Sequence, residues 1–357
     1  MESIDHLYPW LELMDRPAFC VKGGVITAVN ASAECRMLRV GMPVNEIVTE
    51  HRNIYDTFQN GSMHLVIQAG GIPCKASVSR TEEFDLFVIY QDSDSEQLQA
   101  LSLAAQQLRI PLSNVMTITD QLLATLNETD PASLQQANQI NHGLFQLLRI
   151  ISNMSDADRY QNMSNIRMAS VDFTSLFAEI LEKAEGLISK TDIHLHYHGP
   201  EYSVFGIANA EQIERAIYNL LSNAIKFSAA GTTVAVSLAK SENSVVFTVC
   251  NQHSEDSESW EFWNRYRRTP TIEDSRYGLG LGMTLVRSAA FAHGGTVLID
   301  HPTSTQTRVT FTIPIVSDNS TTVSTPIISI GDYAGGRDKG LLEFSEILPT
   351  SSYQKIN

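Results

Sequence analysis

The sequence predicts a multidomain α+β protein, and three observations carry that prediction. Residues 18–90 alternate apolar and polar positions in short runs broken by glycine turns, the pattern of antiparallel strands with small helices between them. Residues 92–160 repeat apolar side chains at steps of three and four, which makes an antiparallel helical hairpin. Residues 166–316 mix helical and strand periods, as a two-layer α/β sandwich requires. At 357 residues the chain is long enough for several cores, and its 43% hydrophobic content can fill them.

The formal net charge of −15 argues against nucleic acid as the main partner, because no face would neutralise phosphates. No apolar run reaches membrane-spanning length, and the amino terminus lacks a basic stretch followed by an apolar one. The expectation is a soluble, cytoplasmic protein without a membrane span. Cys20, Cys35, Cys74 and Cys250 lack metal-ligand spacing and read as buried, reduced thiols.

In chain order, residues 18–21 and 25–30 flank Gly23-Gly24 as a β-hairpin. A helix over 31–38, short helices near 44–47 and 54–58, and strands over 63–68, 74–78 and 85–90 follow. His51 and His64 read as surface or packing residues. In the hairpin region, Leu101, Ala105, Leu108, Leu112, Val115, Thr119, Leu122 and Leu126 form one seam. Ala137, Ile140, Leu144, Leu147, Ile151 and Met154 form the other, after a break at residues 127–131. Such a hairpin buries a second face against another copy, giving a dimeric four-helix bundle. Pro111 falls inside the first helix, which is costly without a reason.

Beyond residue 166 the pattern gives a helix over 171–190, strands over 193–197 and 202–205, a helix over 209–227, strands over 232–239 and 244–250, and a closing hairpin to 315. His194, His196 and His198 share one strand face and read as solvated, since no Cys or carboxylate nearby completes a zinc site. The Gly278-Leu279-Gly280-Leu281-Gly282 loop feeds a helix, an arrangement that lets backbone amides approach an anion. Residues 317–357 read as a Ser/Thr-rich linker followed by a short amphipathic helix over 340–349, which could dock on its own chain or on a partner.

Residues 1–92, two strands, small helices, then three antiparallel strands, resemble a PAS sensor domain, with no haem or flavin assigned to it. Leu108-Arg109-Ile110-Pro111-Leu112 resembles the H-box of sensor histidine kinases, so residues 93–165 resemble their dimerisation hairpin. Aligned on that box, the phospho-accepting His falls on Gln106, the acid after it on Gln107, and the water-holding Thr of phosphatase action on Ile110. None of the three replacements can do that chemistry. Residues 219–228 closely resemble the N-box of the same kinases, and residues 166–316 their ATP-binding domain.

The resemblance implies ATP or ADP with Mg²⁺. It assigns the nucleotide to Asn219, Asn223, Lys226, Asn251, Arg265, Arg268, Gly278, Gly280 and Gly282, with Mg²⁺ on the Asn223 side-chain oxygen. Asn251 stands where the family has an Asp for adenine, and it keeps an acceptor without the charge. Asn219 stands where related ATPases place a Glu that activates water, so that base is missing as it is in kinases. Three readings stay open. One is a nucleotide-binding dimeric scaffold unable to autophosphorylate. Another is a kinase using His142 or a partner kinase's His and passing phosphate to a response regulator. The last is an interaction module without nucleotide.

Overall fold

The structure, a computed structural model, describes residues 8–90, 93–125, 131–159, 167–241, 243–254, 281–315 and 334–354. Among them the elements form a mixed α+β arrangement built on one ten-stranded sheet.

The first half of that sheet comes from Ala18–Lys22 (β1), Val25–Val29 (β2), Gly61–Ala69 (β3), Ile72–Arg80 (β4) and Asp85–Ile89 (β5), all antiparallel. Short helices Tyr8–Glu12 (α1), Ala31–Glu34 (α2) and Arg52–Thr57 (α3) accompany it. Asn30 organises this region. Its Oδ1 accepts from Ala18 N at 3.0 Å and Ala33 N at 2.9 Å, while its Nδ2 donates to Arg16 O at 2.8 Å. A side chain that caps α2 thus also ties down the chain entering β1. The core holds Phe19 stacked on Phe87 at 4.6 Å, with Met63, Leu65 and Val78 fully buried. His64 packs inside, as a packing histidine should, with Nδ1 2.6 Å from Tyr90 Oη. Of the cysteines, Cys20 and Cys74 are buried but Cys35 is exposed, contrary to the expectation.

Ser93–Thr125 (α4) and Pro131–Arg159 (α5) form the hairpin, and α4 runs through Pro111 without ending. The expected seams split in two. Ala105, Leu112 and Thr119 are buried, joined by Met116 and Leu123, whereas Leu108, Val115 and Leu122 are about half exposed. On α5, Ala137, Leu144, Ile151 and Met154 are buried while Ile140 and Leu147 are exposed. Steps of seven leave Leu108, Val115 and Leu122 on one outward row.

The second half of the sheet is His194–His198 (β7), Thr233–Ser241 (β9), Ser244–Gln252 (β10), Thr296–Asp300 (β11) and Gln306–Pro314 (β12). β7 pairs with β9 in parallel, and the other neighbours are antiparallel. Helices Phe173–Ile188 (α6), Ala210–Lys226 (α7) and Leu281–Ala292 (α8) cover it, with Phe177 stacked on Phe247 at 4.7 Å in the core. Ala169–Asp172 (β6) and Phe205–Ala208 (β8) form a separate two-stranded sheet.

Two sequence expectations shift here. The helix starts at Phe173 and not at 171, because Asp172 Oδ1 accepts from Thr174 N and Ser175 N and so fixes the N-cap. The strand expected over 202–205 is β8, three residues later, where it meets β6. His194, His196 and His198 are exposed along β7, a solvated face as expected.

Unexpectedly, the two halves share one sheet. β3 pairs with β11 through Ser62, Met63 and His64 against Ile299, Leu298 and Val297. Gly61 permits the junction. It sits at φ +96°, and a Cβ there would run into the Ile299 carbonyl oxygen.

Candidate functional site

Asn209 caps α7 through Oδ1, which accepts from Gln212 N at 2.9 Å, and α7 then runs for 17 residues buried on most faces. Asn219 lies one turn before Asn223, so both occupy the same side of the helix. Asn219 is 1% exposed. Its Nδ2 donates to Arg215 O at 2.8 Å, and its Oδ1 is buried with no hydrogen-bond partner among the described residues. Such an oxygen is costly to bury, by about 1–3 kcal/mol.

Gly282, in the first turn of α8, lies directly against it: a Cβ there would fall 2.7 Å from Asn219 Oδ1. Glycine therefore lets the start of α8, where backbone amides favour an anion, pack directly against the orphaned oxygen. Asn223 is half-buried, and Lys226 closes the last turn of α7. At the end of β10, Asn251 is 7% exposed, and its Nδ2 also lacks a partner among the described residues. Ala229 N donates to Gln252 O at 2.9 Å, which holds the end of β10 beside the end of α7.

The structure thus gathers Asn219 and Gly282 in contact, with Asn223 and Lys226 further along α7 and Asn251 on the strand beside its end. Arg265, Arg268, Gly278 and Gly280 lie outside the described residues. The orphaned carbonyl, the orphaned amide and the cradle that a Cβ would fill fit a ligand carrying both hydrogen-bonding edges and phosphates. Asn223 offers an uncharged oxygen of the kind Mg²⁺ accepts beside phosphate ligands.

On α4, Gln106 and Gln107 are exposed, Ile110 is 69% exposed, and Arg109 Nη2 donates to Ser152 Oγ at 3.2 Å. His142 on α5 is already engaged: its Nε2 is 2.7 Å from Ser345 O, and its ring stacks on Tyr353 at 4.6 Å.

Residues 208–317 match the family described as histidine kinase-, DNA gyrase B-, and HSP90-like ATPase. These residues are a histidine kinase-type ATPase domain. The chain is 24% identical over 251 residues to the sensor histidine kinase YcbM of Bacillus subtilis (strain 168), covering 59% of this chain and 80% of that one. It is 25% identical over 248 residues to the adaptive-response sensory kinase SasA of Crocosphaera subtropica, covering 65% and 64%. To the sensor protein KdpD of Clostridium acetobutylicum it is 26% identical over 198 residues, and it spans only 22% of that relative's length. Among solved structures it is similar to full-length ShkA in complex with AMPPNP, with TM-score 0.49, 21% identity, and coverage of 62% of this chain and 46% of that one. It is also similar to histidine kinase ThkA in complex with response regulator protein TrrA, with TM-score 0.42, 16% identity, and coverage of 86% and 98%. No helix among the described residues is long and apolar enough to cross a membrane.

The ATPase domain is fastened to the hairpin by residues that the sequence did not single out. The tail residues 334–354 dock in cis. Their helix is Lys339–Glu343 (α9), shorter than the expected 340–349, because Phe344 ends it and turns carry the chain to Tyr353. Leu342, Phe344 and Tyr353 are buried, Phe344 edge-on to Tyr218 at 5.7 Å. Tyr353 Oη donates to Leu341 O at 2.8 Å, and burial pushes this phenol's pKa up.

Glu343, fully buried, faces two arginines. Arg149 of α5 approaches at 3.4 Å and Arg215 of α7 at 3.6 Å. Arg215 also pairs with Asp156 and donates to Asn153 Oδ1 at 2.6 Å, while Arg149 donates to Ser222 Oγ at 2.9 Å. Lys339 meets Glu214 at 2.6 Å, and Arg337 meets Asp120 of α4 at 2.6 Å. Burial raises the Glu214 pKa against the opposing pull of Lys339. A Glu inside the apolar run Gly340-Leu341-Leu342-Glu343-Phe344 and an Arg inside each apolar helix face were the available signals, because a charge in such a place needs a partner.

Proposed function

We propose that the chain is a histidine-kinase-like signalling protein that binds Mg–ATP or Mg–ADP and does not phosphorylate itself at the usual place. The observation that carries this reading is the buried, unpartnered Asn219 Oδ1 against Gly282 at the start of α8, beside Asn223 and Lys226, set against Gln106 at the acceptor position. An unpartnered buried oxygen at a helix start makes sense when a bound ligand supplies its missing partner. A glutamine amide lacks the nucleophilic ring nitrogen that would accept phosphate.

In this reading Asn223 holds the metal ion, Lys226 meets phosphate, and Asn251 offers its amide to the adenine edge. Bound Mg²⁺ supplies charge neutralisation along the phosphates. The N-terminal sheet, with its strand order β2-β1-β5-β4-β3, supports a PAS-like sensor over residues 1–92. The outward row Leu108, Val115 and Leu122, with Ile140 and Leu147, supports a homodimer through residues 93–165. The ATPase domain is bounded at 166–316 and the tail at 317–357, and the protein acts as a cytoplasmic regulatory scaffold with a response regulator or a kinase as its client.

His142 is a poor substitute acceptor because Ser345 and Tyr353 already occupy its ring. Incubation of the purified protein with γ-labelled ATP and Mg²⁺ tests the reading. Binding by calorimetry without covalent label is expected; an acid-labile, base-stable label sinks it.

A further inference from the structure

Glu346 meets the last turn of α7 at Lys226. Its Oε2 is 2.5 Å from Lys226 Nζ, and its Oε1 is 3.3 Å from Arg149 Nη1. The segment that carries it cannot drift. Glu343 is buried between Arg149 and Arg215 just before it, Phe344 and Leu348 are buried on either side, and Ser345 O is held by His142 and by Gln146 Nε2 at 3.1 Å. The carboxylate is thus a fixed negative charge on the lysine assigned to nucleotide phosphate. Burial alone would raise the Glu346 pKa, but Arg149 and then Lys226 outweigh it and hold it below the ordinary value, so the group is charged at neutral pH.

We infer that Glu346, held in place by the docked tail, is a specificity-determining residue that tilts the ATPase domain towards ADP over ATP. This rests on the nucleotide-binding reading above and assigns a preference within the same site. Two effects act together. A lysine neutralised by a 2.5 Å carboxylate must give up that partner to serve a phosphate. A fixed negative charge near the polyphosphate also disfavours the ligand with more charge, and ATP carries one phosphate more than ADP. Tail and nucleotide therefore compete for one ammonium group, with no need for the tail to undock.

The test compares Mg–ATP and Mg–ADP dissociation constants by calorimetry for the full chain, Glu346→Gln, Lys226→Ala and the double variant. Glu346→Gln is expected to tighten Mg–ATP about fivefold and Mg–ADP about twofold or less. In the Lys226→Ala background the same substitution is expected to have a clearly smaller effect on both constants, because only the direct repulsion of the phosphates remains, whereas a merely structural role of Glu346 would leave the effect undiminished. Equal tightening of both nucleotides, no change, or an undiminished effect without Lys226 overturns the inference and leaves nucleotide binding standing. Absence of binding in both the native chain and Glu346→Gln overturns the nucleotide reading itself, and the inference with it. Because Glu346 is exposed at the edge of the docked segment, Glu346→Gln should remain fully folded at the titration temperature, which a thermal melt of each variant checks and which makes the comparison interpretable.

Discussion

The stretch of α4 around Pro111 and the Asn219 side of α7 are both helical, and they differ in what surrounds them. On α4, Gln106, Gln107 and Ile110 stand exposed around Pro111, which the helix accommodates without ending. On α7, Asn219 is buried with an unmet oxygen, and Arg215 and Ser222 are wired into α5 and the tail. An exposed glutamine costs the fold almost nothing, whereas an unsatisfied buried oxygen and buried charges must be compensated. The difference teaches where each helix tolerates replacement: the exposed face of α4 does, and the Asn219 side of α7, built into the core, does not.

The largest effect should come from breaking the wiring of α7. Arg215→Met leaves Glu343 and Asp156 buried without their shared partner and should lower stability by about 3–5 kcal/mol in urea unfolding. An undiminished midpoint would mean that the tail and α5 do not depend on that charge. Next in size, Asn223→Ala should weaken Mg–ATP at least about tenfold, and it should abolish the thermal shift that nucleotide produces while leaving the apo protein close to native. A full shift in that variant would remove Asn223 from the site.

The pH dependence of the tail sharpens the comparison. The Glu346 carboxyl has its pKa lowered in the folded protein by Arg149 and Lys226, so the unfolded chain binds the proton more readily. Its contribution to stability is present above the unfolded carboxyl range and is lost as pH falls through the lowered folded value. Acid titration of Glu346→Gln should therefore lack part of the acid-limb loss seen in the native protein, while the two curves run parallel above pH 5. Smallest of all, Gln106→Ala on α4 should change stability by no more than about 0.5 kcal/mol and leave nucleotide affinity unaltered. A clear loss of affinity there would tie the acceptor helix to nucleotide after all.

Much of this was legible in the sequence. The four-residue step between two Asn in an apolar run and the glycine-rich helix start are both visible in the sequence, but only the resemblance to the kinase motifs puts them at one site, and the contact of Gly282 with Asn219 is a finding of the structure. The seams of the hairpin were legible only as stripes. Period alone does not tell which stripe faces α5 and which faces outward, so Leu108, Val115 and Leu122 were assigned together with Ala105 and Leu112. The pairing of β3 with β11 was not legible, because an edge strand offers backbone groups that carry no side-chain code, and Gly61 looks like any turn glycine. The tail was read as an amphipathic helix without an address. Its address lies in complementary charges on residues about 120 to 200 positions away, such as Lys226 for Glu346 and Arg149 for Glu343.

The central claim is binding without self-phosphorylation, and one paired measurement tests it most directly. The purified full chain is given γ-labelled ATP and Mg²⁺, bound nucleotide is quantified by calorimetry, and covalent label is followed on a denaturing gel at neutral pH. The account predicts saturable binding with no label on the chain. An acid-labile, base-stable label on the native protein would contradict it.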